Sequence, residues 1–234
     1  MISSFSFAVV LPAHNSAGNI CETIDELTLY FQKNEVDGQV IIVENGSEDD
    51  TWEVMKSIDA SNLPFELTRT QSEVGLGNAI RKGLESVTSE YVLITADDLP
   101  FGFSDIDGYK KIIPDYEIAV GSKAHPDTEG NRSLAREITS AVFRLLRRII
   151  LGVNLGDTQG TIMGKSSVVC PLASQTHQSG YLMTTELLMI ATRAGCSIIE
   201  LPVQFRQDLR KSNINVLGDS LKMLRGLFEV RRRI

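Results

Sequence analysis

Two adjacent carboxylates, Asp97 and Asp98, close an unbroken apolar run, Tyr91-Val92-Leu93-Ile94, and Pro100 follows them. Apolar residues in a row without alternation read as a strand buried in a parallel sheet, and the proline prevents it from continuing. In an open α/β sheet, ligands sit just beyond the carboxyl ends of the strands. Carboxylates at such an end suit a hard cation with oxygen ligands and, through it, a diphosphate. Paired aspartates are also good turn formers, so the pair alone leaves both readings open.

Other spacings exclude other chemistries. No GxxxxGK[ST] occurs, so this is not a P-loop kinase or ATPase, and no GxSxG elbow marks a hydrolase. His14, His125 and His177 lack ligand-like spacing for zinc. Gly75-Leu76-Gly77 lacks the third glycine of a dinucleotide fingerprint, since Ile80 takes its place, and reads better as close packing at a helix start.

Hydrophobic residues make up 42% of the 234 positions, which allows a sizeable core. A net charge of −7 argues against a nucleic-acid binder, because phosphate backbones need a basic footprint. Yet Arg144, Arg147, Arg148 and Arg231 to Arg233 gather in the second half, where they could meet an anionic surface. Three scattered cysteines without a CxxC, and no basic region ahead of an apolar N-terminal run, lead us to expect a cytoplasmic protein. No apolar stretch nears the roughly 20 residues of a membrane span.

The elements that must position Asp97 and Asp98 follow from periodicity. Phe5 to Leu11, Gln39 to Val43, Phe65 to Arg69 and the run from Tyr91 are expected strands. Between them lie three expected helices. The first is capped by Asn15 or Ser16 and buries Ile20, Ile24, Leu27 and Phe31. The repeating strand–helix order predicts an α/β fold, a doubly wound, mostly parallel sheet, with the turns at Pro12, Glu44 and Ala96 in one cleft. In the second half we expect a helix from Ser104 to Ile113, strands over Tyr116 to Val120 and Ser197 to Val203, and a helix from Thr184 or Thr185 to Ala194. The helix Glu137 to Leu151 has Ile138, Val142, Leu145 and Ile149 on one face and arginines mostly off it, as surface-bound amphipathic helices do. We nevertheless expect that face to complete the core, with the arginines solvated. The last helix, with Leu217, Leu221, Leu224 and Phe228 aligned, reads equally as core or as surface-bound.

Taken together, Val10 to Asn15, Ile42 to Thr51, Val74 to Gly83 and Ala96-Asp97-Asp98 fall in the order and spacing of glycosyltransferase family 2. The sequence most resembles its dolichyl-phosphate and polyprenyl-phosphate sugar transferases, in particular the dolichyl-phosphate glucosyltransferase branch. The likeness runs on through Gly121-Ser122-Lys123, Arg132-Ser133 with Arg136, Asp157-Thr158-Gln159, Thr185-Glu186 and Glu200-Leu201-Pro202-Val203.

This resemblance implies a GT-A fold and inverting transfer of a sugar from a nucleotide-sugar donor to a polyprenyl phosphate. It implies one domain over 1–234, with a donor-nucleotide half at 1–121 and an acceptor half at 122–234. By position, Pro12, His14, Ser16, Val43 and Asn45 would meet the base and ribose, and Ala96, Asp97, Asp98 and Pro100 the diphosphate. Asp98 would be the metal ligand for Mg²⁺ or Mn²⁺, with Asp97 and Asp157 as further catalytic-site residues and Glu186 orienting basic groups. Arg132, Ser133 and Arg136 would hold the acceptor phosphate, while Arg206 and Lys211 would close over the donor. The partners implied are the two substrates and a peripheral membrane surface or membrane protein.

Several positions depart from the family pattern. His14 and Ser16 replace an aromatic and an acid, Glu44 and Asn45 replace two aspartates, and Ala96 replaces the first aspartate of Asp-x-Asp. Two further readings therefore stay open: a non-catalytic domain of the same fold that binds a lipid phosphate or partner, and an active transferase with a soluble acceptor.

Overall fold

The computed structural model describes residues 5–113, 115–128, 134–204 and 216–233. Its first half alternates regularly: β1 (Ser6–Ala13), α1 (Ile20–Asn34), β2 (Asp37–Glu44), α2 (Thr51–Ser57), β3 (Glu66–Gln71), α3 (Leu76–Leu84) and β4 (Tyr91–Ile94). The second half continues with α4 (Ser104–Ile112), β5 (Ile118–Ser122), α5 (Leu134–Leu151), β6 (Ile162–Lys165), α6 (Ser166–Ala173), α7 (Leu182–Arg193), β7 (Ile198–Pro202) and α8 (Val216–Arg233).

All seven strands join one sheet in the order β3-β2-β1-β4-β6-β5-β7. Every pairing is parallel except those of β6, which runs antiparallel to β4 and β5. The expected mostly parallel sheet is thus observed. β1, buried along nearly its whole length, divides its side chains between two faces as a strand must. Phe7, Val9 and Leu11 pack with α1, α2 and α4, whereas Ala8 and Val10 pack with α3, α6 and α7. A third cluster joins α5, α7 and α8 through Ile150, Leu151, Met189, Leu227 and Val230. No helix among the described residues is long and apolar enough to cross a membrane.

Three expectations need correction. Helix α6 was not anticipated, because it is short and carries Pro171, which removes a backbone donor from its interior. Helix α1 starts at Ile20, later than a cap at Asn15 or Ser16 implies. The Ser16 carbonyl accepts the N–H groups of Asn19 and Ile20, while its hydroxyl is directed elsewhere.

The third correction concerns the apolar face of α5. This helix carries apolar residues on two sides, and the structure buries Ile150 and Leu151, half-buries Phe143 and Leu146, and encloses Arg147. Val142, Leu145 and Ile149, expected in the core, lie on the exposed side.

Candidate active site

A cleft of about 550 Å³ opens beyond the carboxyl ends of β1 and β4. Pro12, Ile94, Thr95, Ala96 and Asp98 form its floor, with Asn19 at the cap of α1 and Glu22, Thr23 and Glu26 of α1 on one side. Lys123, Gln159, Gly160 and Thr161 stand on another wall, beside Tyr181 and Thr184 of α7.

The two neighbouring aspartates point to different places. Asp98 lines the cleft and is half-buried. Asp97 is buried, and its carboxylate accepts a hydrogen bond from the Ser16 hydroxyl. Its carbonyl accepts from Asn19 Nδ2 at 3.1 Å and from the Thr23 hydroxyl, so α1 is tied to the end of β4. The following residue, Leu99, is forced to φ +44°, a left-handed conformation rare for a branched side chain. Burial of its side chain in the core holds that turn in place.

Behind this floor the loops after β1 and β2 are laced together. His14 Nδ1 is 3.0 Å from the Asn45 carbonyl, Ser47 Oγ accepts the Asn15 N–H, and Thr51 Oγ1 accepts the Ser16 N–H at 2.7 Å. Asn45 spends its side-chain amide on the loop after β3, accepting from Gly75 N at 2.8 Å and donating to Gly75 O at 2.7 Å. Glu44 accepts from the Ser47 N–H and from Gln71 Nε2. Burial works against its charged form, but these hydrogen bonds outweigh it and hold the carboxyl below its ordinary value. The turn at Glu44 therefore buttresses the cleft from behind; among the described residues it does not line the cleft, as the strand-end argument had expected.

The opposite wall is built around Asp157. Glu200 accepts the N–H groups of Gly156 and Asp157 at 2.7 and 2.9 Å, fixing the turn. Asp157 accepts the Lys123 N–H at 3.1 Å and that of Gln159 at 2.8 Å, and Lys123 Nζ lies 3.6 Å from Asp157 Oδ2. A Cβ on Gly160 would fall 1.8 Å from the Gly121 carbonyl, so only glycine lets this turn meet the end of β5.

Helix α3 closes the cleft through Leu76 and Ile80. Its N-terminus approaches the loop before α7 closely enough that Gly77 N donates to the Ser179 carbonyl at 2.7 Å. Glu186, fully buried, accepts the N–H groups of His177 and Gln178 and so fixes that loop.

Of the residues singled out from sequence, Pro12, Ala96, Asp98 and Pro100 line the cleft, and Asp157 stands just behind Lys123. The Val43 side chain lies in the core beneath Gly83 of α3. His14 is exposed, Ser16 is buried against Asp97, and Asn45 is engaged with Gly75. Arg132, Ser133, Arg206 and Lys211 lie outside the described residues, as does the side chain of Arg136. Lys123 is a cleft residue that the sequence pattern does not single out, although its place directly after the end of β5 is a usable signal. Asn19, the cap residue of α1, and Thr23 in its first turn are four apart, a spacing that puts both on one side, toward Asp97.

Residues 8–166 match the family model described as Glycosyl transferase family 2. A dolichyl-phosphate beta-glucosyltransferase of Saccharomyces cerevisiae is 25% identical over 246 residues, covering 96% of this chain and 73% of that protein. Glycosyltransferase AglD of Haloferax volcanii is 25% identical over 92% of this chain, which spans 35% of that longer protein. Among solved structures, glucosyl-3-phosphoglycerate synthase from Mycobacterium tuberculosis, in complex with Mn²⁺, UDP-glucose and phosphoglyceric acid, superposes with a TM-score of 0.69 at 20% identity. That match covers 98% of this chain and 80% of the other, and it establishes the GT-A arrangement of the sheet.

Proposed function

The chain belongs to glycosyl transferase family 2 and is a nucleotide-sugar glycosyltransferase; from that premise we propose that it moves the sugar, with inversion, to a polyprenyl phosphate. The observation that carries this reading is the cleft itself, with Asp98 on its floor and the Lys123–Asp157 pair across from it. A lipid phosphate is already anionic at neutral pH, so no general base has to create the nucleophile. The protein must instead bring two anions together and stabilise charge on the departing diphosphate.

Lys123 supplies one fixed cation for that task, held by Asp157. Arg132, Ser133 and Arg136 would grip the acceptor phosphate, and Arg206 with Lys211 would neutralise the donor. The likeness to the yeast dolichyl-phosphate enzyme supports this choice of acceptor.

The donor set for a divalent metal is lean. Among the described residues no group of three or more His, Cys, Asp or Glu side chains could hold an ion. Mg²⁺ needs no such cage, since it keeps several waters and takes one or two carboxylates plus substrate phosphates. Asp98, on the cleft floor, would take that minimal role, and Mg²⁺ or Mn²⁺ bound there would neutralise charge on the leaving diphosphate. Asp97 would act indirectly, through the connection of α1 to β4.

Incubating the protein with a panel of nucleotide sugars and a short-chain polyprenyl phosphate tests the reading. Glycosylated lipid phosphate is the expected product; absence of both turnover and nucleotide binding with every donor would overturn it. Ala96, exposed beside Asp98, favours one further reading, a domain of this fold without catalysis. Calorimetry with Mn²⁺ and nucleoside diphosphates separates the two, because a non-catalytic donor site gives no metal-dependent heat. A soluble acceptor is the remaining rival. Changing Arg132 and Arg136 to Ala would leave transfer to it intact and abolish transfer to the lipid.

A further inference from the structure

Helix α5 carries two apolar stripes, and the structure uses only one of them. At about 100° per residue, Phe143, Leu146 and Ile150 share a side with Arg147, and Val142, Leu145 and Ile149 occupy another. The first group packs inward, whereas the second is 52%, 58% and 66% exposed. The roll of the helix is fixed by Arg147, 2% exposed, whose Nη1 donates to Thr158 Oγ1 at 2.8 Å. Turning the outer stripe inward would pull that hydrogen bond apart.

The outer stripe is bordered by cations. Arg144 and Arg148 follow it along one edge and, with Asn154 and Gly156, line an open hollow of about 350 Å³. Helix α8 packs beside α5 and ends in three exposed arginines, Arg231 to Arg233. In a chain of net charge −7 this concentration of positive charge beside bare apolar side chains sets the face apart. An apolar stripe edged by arginine is the pattern of a helix lying in a membrane interface. A symmetric pairing of two copies through this face would bring Arg144 and Arg148 of both together, which opposes self-association.

We propose that the outer face of α5 docks on an anionic membrane surface, with Val142, Leu145 and Ile149 entering the headgroup boundary and the Arg144–Arg148 hollow receiving a lipid phosphate. This does not rest on the choice of sugar acceptor, so the test uses vesicles without polyprenyl phosphate. Flotation of the full chain with phosphatidylcholine vesicles, with and without phosphatidylglycerol, is expected to show binding only to the anionic ones, weakening as salt is raised. Leu145→Ser with Ile149→Ser should lower that binding by about tenfold or more. Arg144→Glu with Arg148→Glu should remove the preference for phosphatidylglycerol. Both pairs are on the surface, and unchanged circular dichroism would show that the fold is intact. A wild-type chain indifferent to anionic vesicles, or a serine variant that floats as well as wild type, would overturn the proposal. So would a wild-type dimer that the serine substitutions split, with no vesicle binding.

Discussion

Arg147 donates from Nη1 to Thr158 Oγ1 at 2.8 Å, joining the inner side of α5 to the turn that carries Asp157. Thr158 in turn shares a 2.8 Å hydrogen bond with Thr185 of α7, so one guanidinium couples three pieces of chain. Burial pushes the Arg147 pKa down, while the carboxylates of Asp157 and Glu200 favour its charged form. Among the described residues its Nε has no hydrogen-bond partner, so within that set the group is only partly compensated for leaving water.

Truncating this side chain should therefore be costly, and replacing it by an apolar one of similar length much less so. Arg147→Ala leaves a cavity and removes the cation between two carboxylates, with an expected loss of about 3 kcal/mol. Arg147→Met fills the same space without the desolvation penalty and should lose about 1 kcal/mol or less. Urea denaturation of the two variants decides it: equal losses would mean that the charge contributes more than the packing.

The loop network behind the cleft predicts an acid-sensitive component of stability. Glu44 has a folded-state pKa below its ordinary 4.5, so its contribution is fully present above that value. It is lost as pH falls through the lowered folded-state value. Glu44→Gln keeps the acceptor for Ser47 but cannot titrate, so its unfolding free energy should fall less between pH 5 and pH 3 than that of wild type. Parallel fall-off in the two proteins would remove Glu44 as a source of the effect.

The central strands and the cleft were legible because β1, β2 and β4 are apolar runs that end abruptly in polar turns, a signal that needs no tertiary information. Less of the side-chain placement could be read. Asp97 and Asp98 are chemically equivalent in the sequence, and only the Ser16 hydroxyl and the left-handed turn at Leu99 separate a tie to α1 from a cleft-facing carboxylate. In α5 the periodicity was present twice, and the stripe with the fewer charges was the wrong one to bury. The deciding contact, Arg147 to Thr158, joins helix to turn and leaves no trace in either pattern. Helix α6 was hidden by its proline and its short length.

Lys123 should matter for substrate rather than for stability. Its ammonium lies 3.6 Å from Asp157 Oδ2 and borders the cleft, and its backbone N–H carries the structural hydrogen bond to the same carboxylate. Lys123→Met keeps that backbone contact and most of the aliphatic stem. A charge-assisted hydrogen bond to a phosphate is worth roughly 1.5–3 kcal/mol, so kcat/KM for an anionic substrate should fall by about 10- to 100-fold. Melting temperature should change by no more than a few degrees. Steady-state kinetics with donor and acceptor varied in turn would show which anion the lysine serves, and an unchanged kcat/KM for both would remove it from the site.

The two adjacent carboxylates should separate cleanly when each is altered alone. Asp98 faces the cleft, so Asp98→Ala is expected to abolish metal-dependent nucleotide binding while leaving the melting temperature nearly unchanged. Asp97 accepts the buried Ser16 hydroxyl and, through its carbonyl, the side chains of Asn19 and Thr23. Replacing it with alanine leaves the Ser16 hydroxyl buried without its acceptor, at about 1–3 kcal/mol. Ser16→Ala removes the same bond from the other side and should destabilise similarly. Calorimetric titration with Mn²⁺ and UDP, beside thermal unfolding, reads both quantities on each variant. If Asp97→Ala lost metal-dependent binding while keeping full stability, the roles assigned to the pair would be reversed. Asp97 would then have to swing from Ser16 into the cleft, where the exposed methyl of Ala96 leaves the floor without a second carboxylate.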